Sequence, residues 1–112
     1  MHVEDYMNET PARLLAMLTQ TRADLWQAAK ALADRGISRI ILTGSGTSYH
    51  GALTARSFMQ QWCGIPIDVY WPFLLDEMAL SLSDKALVIG ISQGGGSLST
   101  LAAMERARAA GH

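Results

Sequence analysis

Cysteine is nearly absent from this chain of 112 residues, and histidine is sparse: one of the former and three of the latter. Cys63 alone cannot form a disulfide within the chain, and with those histidines it cannot complete a zinc ligand set. A half-buried helical position in a reducing compartment fits it best. Charge is scarce as well, with 17% charged residues and a formal net charge of -1, so there is no electrostatic footprint for nucleic acid. Arg106 and Arg108 are the one basic pair on a late helix, and they read as a solvated face. No apolar run approaches a membrane span. The N-terminus Met1-His2-Val3-Glu4-Asp5-Tyr6 is acidic and lacks the apolar core of a signal peptide. Together these absences point to a cytoplasmic protein with no metal, no cofactor, no nucleic-acid partner and no membrane partner.

What the chain does have is hydrophobic residues, 49% of the total, in an order that alternates. Thr10-Pro11 has the form of a helix start, a hydroxyl cap followed by proline at the first helical position. Leu14, Leu18, Leu25, Ala29 and Leu32 recur at helical steps as one apolar stripe. The polar stretch Thr19-Gln20-Thr21-Arg22 interrupts it, so one long helix and two meeting there are equally compatible. Gly36 ends the region as a left-handed cap. Then follow a strand over Arg39 to Thr43, a helix from about Ser48 to Trp62 capped by Gly64, and a short strand over Ile67 to Tyr70. Pro72 and Leu74-Leu75-Asp76-Glu77-Met78 predict a turn and a short helix. A third strand covers Ala86 to Ile91, and a last helix runs from near Ser97 to Gly111. Such β-α-β alternation predicts a parallel sheet with right-handed crossovers, the α/β class. The unbroken apolar core of the first strand predicts burial on both faces. Three strands is thin for an open α/β sheet. Residues 1–36 therefore read as an N-terminal helical segment, and 37–112 as the N-terminal part of a domain continuing beyond residue 112.

Two strand-loop-helix junctions carry the chemistry. One is Gly44-Ser45-Gly46-Thr47-Ser48, the other Ser92-Gln93-Gly94-Gly95-Gly96-Ser97. Small and hydroxyl residues there expose backbone N–H groups at a helix N-terminus, where the dipole favours an anion. In one parallel sheet both loops gather at the carboxyl end of the strands. A dinucleotide fingerprint does not fit, because Tyr49 stands where the third glycine of G-x-G-x-x-G belongs and Asp68 lies near the start of its strand. A P-loop needs a lysine that neither loop has. Ser97 also reads simply as the N-cap of the last helix. The three glycines Gly94-Gly95-Gly96 carry a conformational entropy cost that a purely structural turn leaves unexplained.

Elsewhere the bland reading prevails. His50, in the first turn of its helix, has no acid or nucleophile nearby in sequence and reads as structural. Asp76 and Glu77 face water. Trp26, Trp62, Tyr70 and Trp71 read as core or interface anchors.

The run Ile41-Leu42-Thr43-Gly44-Ser45-Gly46-Thr47-Ser48-Tyr49-His50, followed by Val88-Ile89-Gly90-Ile91-Ser92-Gln93-Gly94-Gly95-Gly96-Ser97, resembles the sugar isomerase (SIS) domain. That fold occurs in the isomerase half of glucosamine-6-phosphate synthase and in related phosphosugar isomerases and deglycases. The resemblance implies a flavodoxin-like αβα sandwich around a five-stranded parallel sheet, commonly in a homodimer or higher homo-oligomer. It implies a sugar-phosphate ligand held by Ser45, Gly46, Thr47, Ser48, Ser92, Gln93, Gly94 and Ser97. The family's second loop usually reads Ser-Gln-Ser-Gly-Glu-Thr. Here Ser92 and Gln93 match, Ser97 stands for the threonine, Gly94 replaces the middle serine and Gly96 replaces the glutamate. One hydroxyl is lost and room is gained beside the sugar, as an Amadori-type sugar phosphate would require. The family's catalytic glutamate and histidine come from later in the chain, so no catalytic residue is expected here. The resemblance thus implies an aldose-ketose sugar-phosphate isomerase or a sugar-amine 6-phosphate deglycase. The alternative is a non-catalytic sugar-phosphate sensor of a regulator.

Overall fold

The computed structural model describes residues 2–20, 22–81 and 85–112. The chain divides into two compact units, residues 1–35 and 36–112.

The first unit holds α1 (Val3–Thr19) and α2 (Arg22–Ala33). Of the two arrangements open from sequence, the chain adopts two helices. Thr21, part of the polar stretch expected between them, lies outside the described residues, as does Met1. The start expected at Thr10-Pro11 is wrong. α1 begins at Val3 with His2 as its N-cap, and Pro11 sits inside the helix. The His2 N–H donates to Asp5 Oδ2 at 2.7 Å, closing a capping box. That box outweighs the proline signal, and the Thr10 hydroxyl turns back to donate to the Tyr6 carbonyl. The apolar stripe is real in spacing but is not a core. No residue of either helix is buried, and Leu14, Leu18, Leu25 and Trp26 are more than half exposed.

The second unit is an αβα sandwich. It holds β1 (Arg39–Gly44), α3 (Thr47–Cys63), β2 (Ile67–Tyr70), a 3₁₀ turn (Pro72–Leu74), α4 (Glu77–Ser81), β3 (Ala86–Ile91) and α5 (Leu98–Ala109). The sheet is parallel with order β2-β1-β3, so the carboxyl ends of all three strands share one edge. Period-two alternation sorts the side chains between the faces. Ile41, Ala86 and Val88 face Leu75, Leu80, Ala103 and Ala107. Leu42, Ile67, Ile89 and Ile91 pack with Ala52 and Met59 on the other side. Burial on both faces is why β1 reads as an unbroken apolar run. Each fully buried side chain such as Ile41 or Ile67 contributes about 1.5–3 kcal/mol.

Polar links fix the periphery. Arg39 Nε donates to Asp68 Oδ2 at 2.6 Å across β1 and β2. Arg106 is not on a solvated face with exposed Arg108. It is half-buried, donating from Nη2 to the Pro72 carbonyl at 2.7 Å and from Nε to the Leu75 carbonyl at 3.2 Å. Those carbonyls belong to the 3₁₀ turn and its end, that of Pro72 also accepting the Leu75 N–H at 3.3 Å, and the guanidinium ties this turn to α5. Cys63, expected half-buried, is exposed at the last residue of α3. Trp62 is exposed too, which removes it and Trp26 from any core within the described residues.

Candidate functional site

The site grows from the closeness of β1 and β3. Gly44, the last residue of β1, pairs with Ile91, the last of β3. A Cβ on Gly44 would lie 2.9 Å from the Ile91 carbonyl oxygen and 3.0 Å from Ser48 Cβ. Only a residue without a side chain lets the strand end and the first turn of α3 approach this closely. Gly46 then caps α3 with φ 57 and ψ -126, a conformation that side chains other than hydrogen resist. The turn is closed by the Ser48 N–H donating to the Ser45 carbonyl at 3.2 Å.

Between this loop and the second lies a cavity of about 280 Å³ lined by Ser45, Thr47, Ser48, Ile91, Ser92, Gln93, Gly94 and Ser97. The expected site residues are thus brought together, except that Gly46 shapes the turn without lining the cavity. Among the described residues, the backbone N–H groups of Gln93, Gly94, Gly95, Gly96 and Ser97 donate no hydrogen bond. A run of free N–H groups ahead of α5, on the positive end of its dipole, is a concave donor surface for an anion. The lining holds no charged side chain. A larger concavity of about 900 Å³ between α1 and α2 is lined by apolar side chains such as Met17, Leu18, Leu25 and Trp26. Its polar lining is Thr19, whose hydroxyl donates to the Leu15 carbonyl, and Arg22, against the clustered hydroxyls of the smaller cavity, which has the stronger claim.

Ser97 is the N-cap of α5, but its hydroxyl makes no capping bond to the backbone. It lies 3.0 Å from Thr100 Oγ1 and 3.4 Å from Ser99 Oγ, and Ser99 Oγ lies 3.2 Å from Ser45 Oγ. Ser99 is the residue that sequence reasoning missed. Its signal was the Ser97-x-Ser99 spacing, which returns a second hydroxyl to the mouth of the first helical turn. Thr43, at the end of β1, is fully buried and its hydroxyl has no partner among the described residues. His50 is exposed and sits against aromatic rings, outside the cavity lining. Asp76 and Glu77 are exposed as expected, with Asp76 Oδ1 accepting the Ala79 N–H at 2.9 Å.

Among the described residues no helix is long and apolar enough to cross a membrane. Residues 31–112 match the family model of the SIS domain. Glutamine–fructose-6-phosphate aminotransferase (isomerizing) of Bacillus subtilis is 34% identical over 85 residues, which cover 76% of this chain and 14% of that protein. The same-named protein of Xylella fastidiosa is 37% identical over 78 residues, 70% of this chain and 13% of its own length. Among solved structures, a protein provisionally designated sugar-binding, from Salmonella typhimurium LT2, is 75% identical with a TM-score of 0.87. The match covers 96% of this chain and 34% of that one. A protein provisionally designated a phosphosugar isomerase, from Clostridium difficile 630, is 35% identical with a TM-score of 0.88, over 99% of this chain and 31% of that one. The chain therefore spans a small part of each relative's length. In architecture, in its paired loops and in sequence, this chain belongs to the SIS domain family.

Proposed function

We propose that this chain supplies the phosphosugar-binding loops of an aldose-ketose sugar-phosphate isomerase or a sugar-amine 6-phosphate deglycase. The observation that carries the reading is that Gln93, Gly94 and Ser97, whose backbone N–H groups donate no hydrogen bond among the described residues, line one cavity together with the hydroxyl residues Ser45, Thr47 and Ser48. A phosphate offers acceptor oxygens on every side, and this cradle offers backbone N–H, hydroxyl and amide donors without a carboxylate to repel it. Being uncharged, it binds through hydrogen bonds and dipoles, so the ligand leaves again without breaking an ion pair. Phosphate anchoring is remote from the reacting carbons, and such binding energy serves to position them. No titratable side chain lines the cavity. In this reading the groups that move protons between C1 and C2 are contributed by sequence beyond residue 112, and residues 37–112 are the N-terminal portion of a SIS domain that continues there. The same reading makes the whole protein a cytoplasmic homodimer or higher homo-oligomer.

Isothermal titration of the full-length protein with fructose 6-phosphate tests it. Ser92→Ala should weaken binding several-fold, and unphosphorylated fructose should bind far more weakly than its phosphate. Equal affinity for the two sugars would overturn the assignment. An isomerase assay on the same preparation separates an enzyme from a sensor.

A further inference from the structure

Tyr49, Trp71 and Phe73 form one run of stacked rings beside the loops. Tyr49 stacks on Trp71 with centroids 4.2 Å apart and planes at 22°. Trp71 in turn lies 6.1 Å from Phe73 at 27°. None of the three belongs to either hydrophobic core cluster. Tyr49 and Trp71 are half-buried, and Phe73 is 69% exposed. Large rings normally repay their size by burial, and packing among the described residues does not account for a stack left partly exposed.

Its position is set by strand register. Tyr70, the last residue of β2, pairs with Thr43, and the next residue of β1, Gly44, pairs with Ile91. Trp71 follows Tyr70 directly, so it emerges level with the two strand ends from which the loops depart. Neighbouring strands are about 4.8 Å apart, which puts the end of β2 roughly two spacings, about 10 Å, from the end of β3. Tyr49 is adjacent to the cavity-lining Ser48 in the first turn of α3, and its ring leans onto Trp71. The stack is therefore a wall on the β2 side of the loops, along the sheet edge where α/β proteins hold ligands.

The wall also has polar handles. Among the described residues, neither the Tyr49 hydroxyl nor the Trp71 Nε1–H has a hydrogen-bond partner, while both rings are held in place by their stacking. Flat apolar faces with free O–H and N–H groups at their rims match a carbohydrate, whose C–H face is apolar and whose edge is lined with hydroxyls. Rings held rigid in advance lose little entropy on binding.

Resting on the reading of the loops as a phosphate cradle, we infer that Tyr49, Trp71 and Phe73 form a second subsite that receives the non-phosphorylated end of the sugar phosphate. Its C–H face packs on the rings, and its hydroxyls accept from Trp71 Nε1–H and exchange hydrogen bonds with Tyr49. The cradle supplies anchorage, and the wall tells a sugar phosphate from other phosphates.

Titration of the full-length protein with inorganic phosphate and with fructose 6-phosphate separates the two subsites. Trp71→Ala should lower affinity for the sugar phosphate roughly tenfold and leave inorganic phosphate unchanged. Tyr49→Phe and Trp71→Phe keep the stack and remove one polar handle each, so each should lower sugar-phosphate affinity by a smaller factor at unchanged thermal stability. A Trp71→Ala protein that binds both ligands as the parent does, alongside a Ser92→Ala protein that binds both weakly, would overturn the wall and leave the cradle standing. Equal loss for both ligands in Trp71→Ala and none in the two phenylalanine variants would also overturn it, since the ring would then act only through the cradle's shape. Failure of Ser92→Ala to weaken either ligand would instead count against the cradle.

Discussion

The hydroxyl of Ser45 lies 3.2 Å from that of Ser99, which ties the loop after β1 to the first turn of α5. The contact spans 54 positions in sequence and is exposed, so its worth is modest, about 0.5–1.5 kcal/mol. Its value lies in holding one wall of the cavity against the other before any ligand arrives. Ser99→Ala should leave the melting temperature within about a degree or two and weaken fructose 6-phosphate about three- to tenfold. Ser99→Thr, which keeps a hydroxyl at the same place, should restore most of the affinity. Titration calorimetry on both variants decides between a tie that shapes the site and an idle surface contact.

Gly44 tests the close approach of strand end and helix. Its added Cβ would meet the Ile91 carbonyl oxygen at 2.9 Å and Ser48 Cβ at 3.0 Å, and neither a paired strand nor a first helical turn yields easily. Gly44→Ala should cost about 1–3 kcal/mol of stability, read by urea unfolding, and should also reduce ligand binding because relief requires the two loops to part. By contrast Gly51, with nothing near an added Cβ and no left-handed φ, should accept alanine at no cost or gain slightly from helix propensity.

The Arg39–Asp68 pair sits at the amino-terminal side of the sheet, far from the site. At 2.6 Å, with 19% and 35% of the two side chains exposed, it is better shielded than the Glu9–Arg13 pair on α1, exposed to 37% and 78%. Asp68→Asn should lower stability by up to about 1 kcal/mol at low salt. The difference should shrink at high salt as screening weakens the charge in the parent. Thermal unfolding at both ionic strengths checks this, and no change in sugar-phosphate affinity is expected.

Much of the second unit was legible because local signals and tertiary demands agree there. The strands over Ile67–Tyr70 and Ala86–Ile91 fall where the sequence places them, since their apolar side chains pack on both sides of the buried central strand β1. Gly64 takes the left-handed cap conformation at φ 65 because few other residues tolerate it. Legibility failed where a local signal had a competitor. Thr10-Pro11 is a sound helix start, but the box between His2 and Asp5 supplies an earlier one, and proline within the helix is carried by the turns on either side. The leucine stripe of α1 and α2 is periodic, yet periodicity does not say what covers it. In the candidate site, both loops and their hydroxyls were visible as composition. The tie through Ser99 was not, because it depends on the strand register that brings position 45 beside position 99. Nor was the aromatic wall, since Tyr49 and Trp71 meet only through the pairing of β1 with β2.

Gly94 gives the sharpest test of which sugar phosphate the cavity suits. The SIS family usually has serine there, and the free N–H run suggests that a further hydroxyl would find a phosphate oxygen. An added Cβ at Gly94 meets nothing within 4 Å, and its φ is not left-handed, so Gly94→Ser should fold as well as the parent. If the glycine is only a missing donor, serine should tighten every sugar 6-phosphate by about three- to tenfold, and alanine at the same position should change nothing. If it clears space beside the sugar, both substitutions should discriminate. Fructose 6-phosphate would bind at least as well as before, while a 1-deoxyfructose 6-phosphate carrying an amino acid through its nitrogen on C1 would lose affinity with serine and alanine alike. The proposed widening of the site predicts the second pattern. Titration of the two variants against both ligands measures it directly, and a uniform gain with serine and none with alanine would assign Gly94 to lost phosphate contact instead.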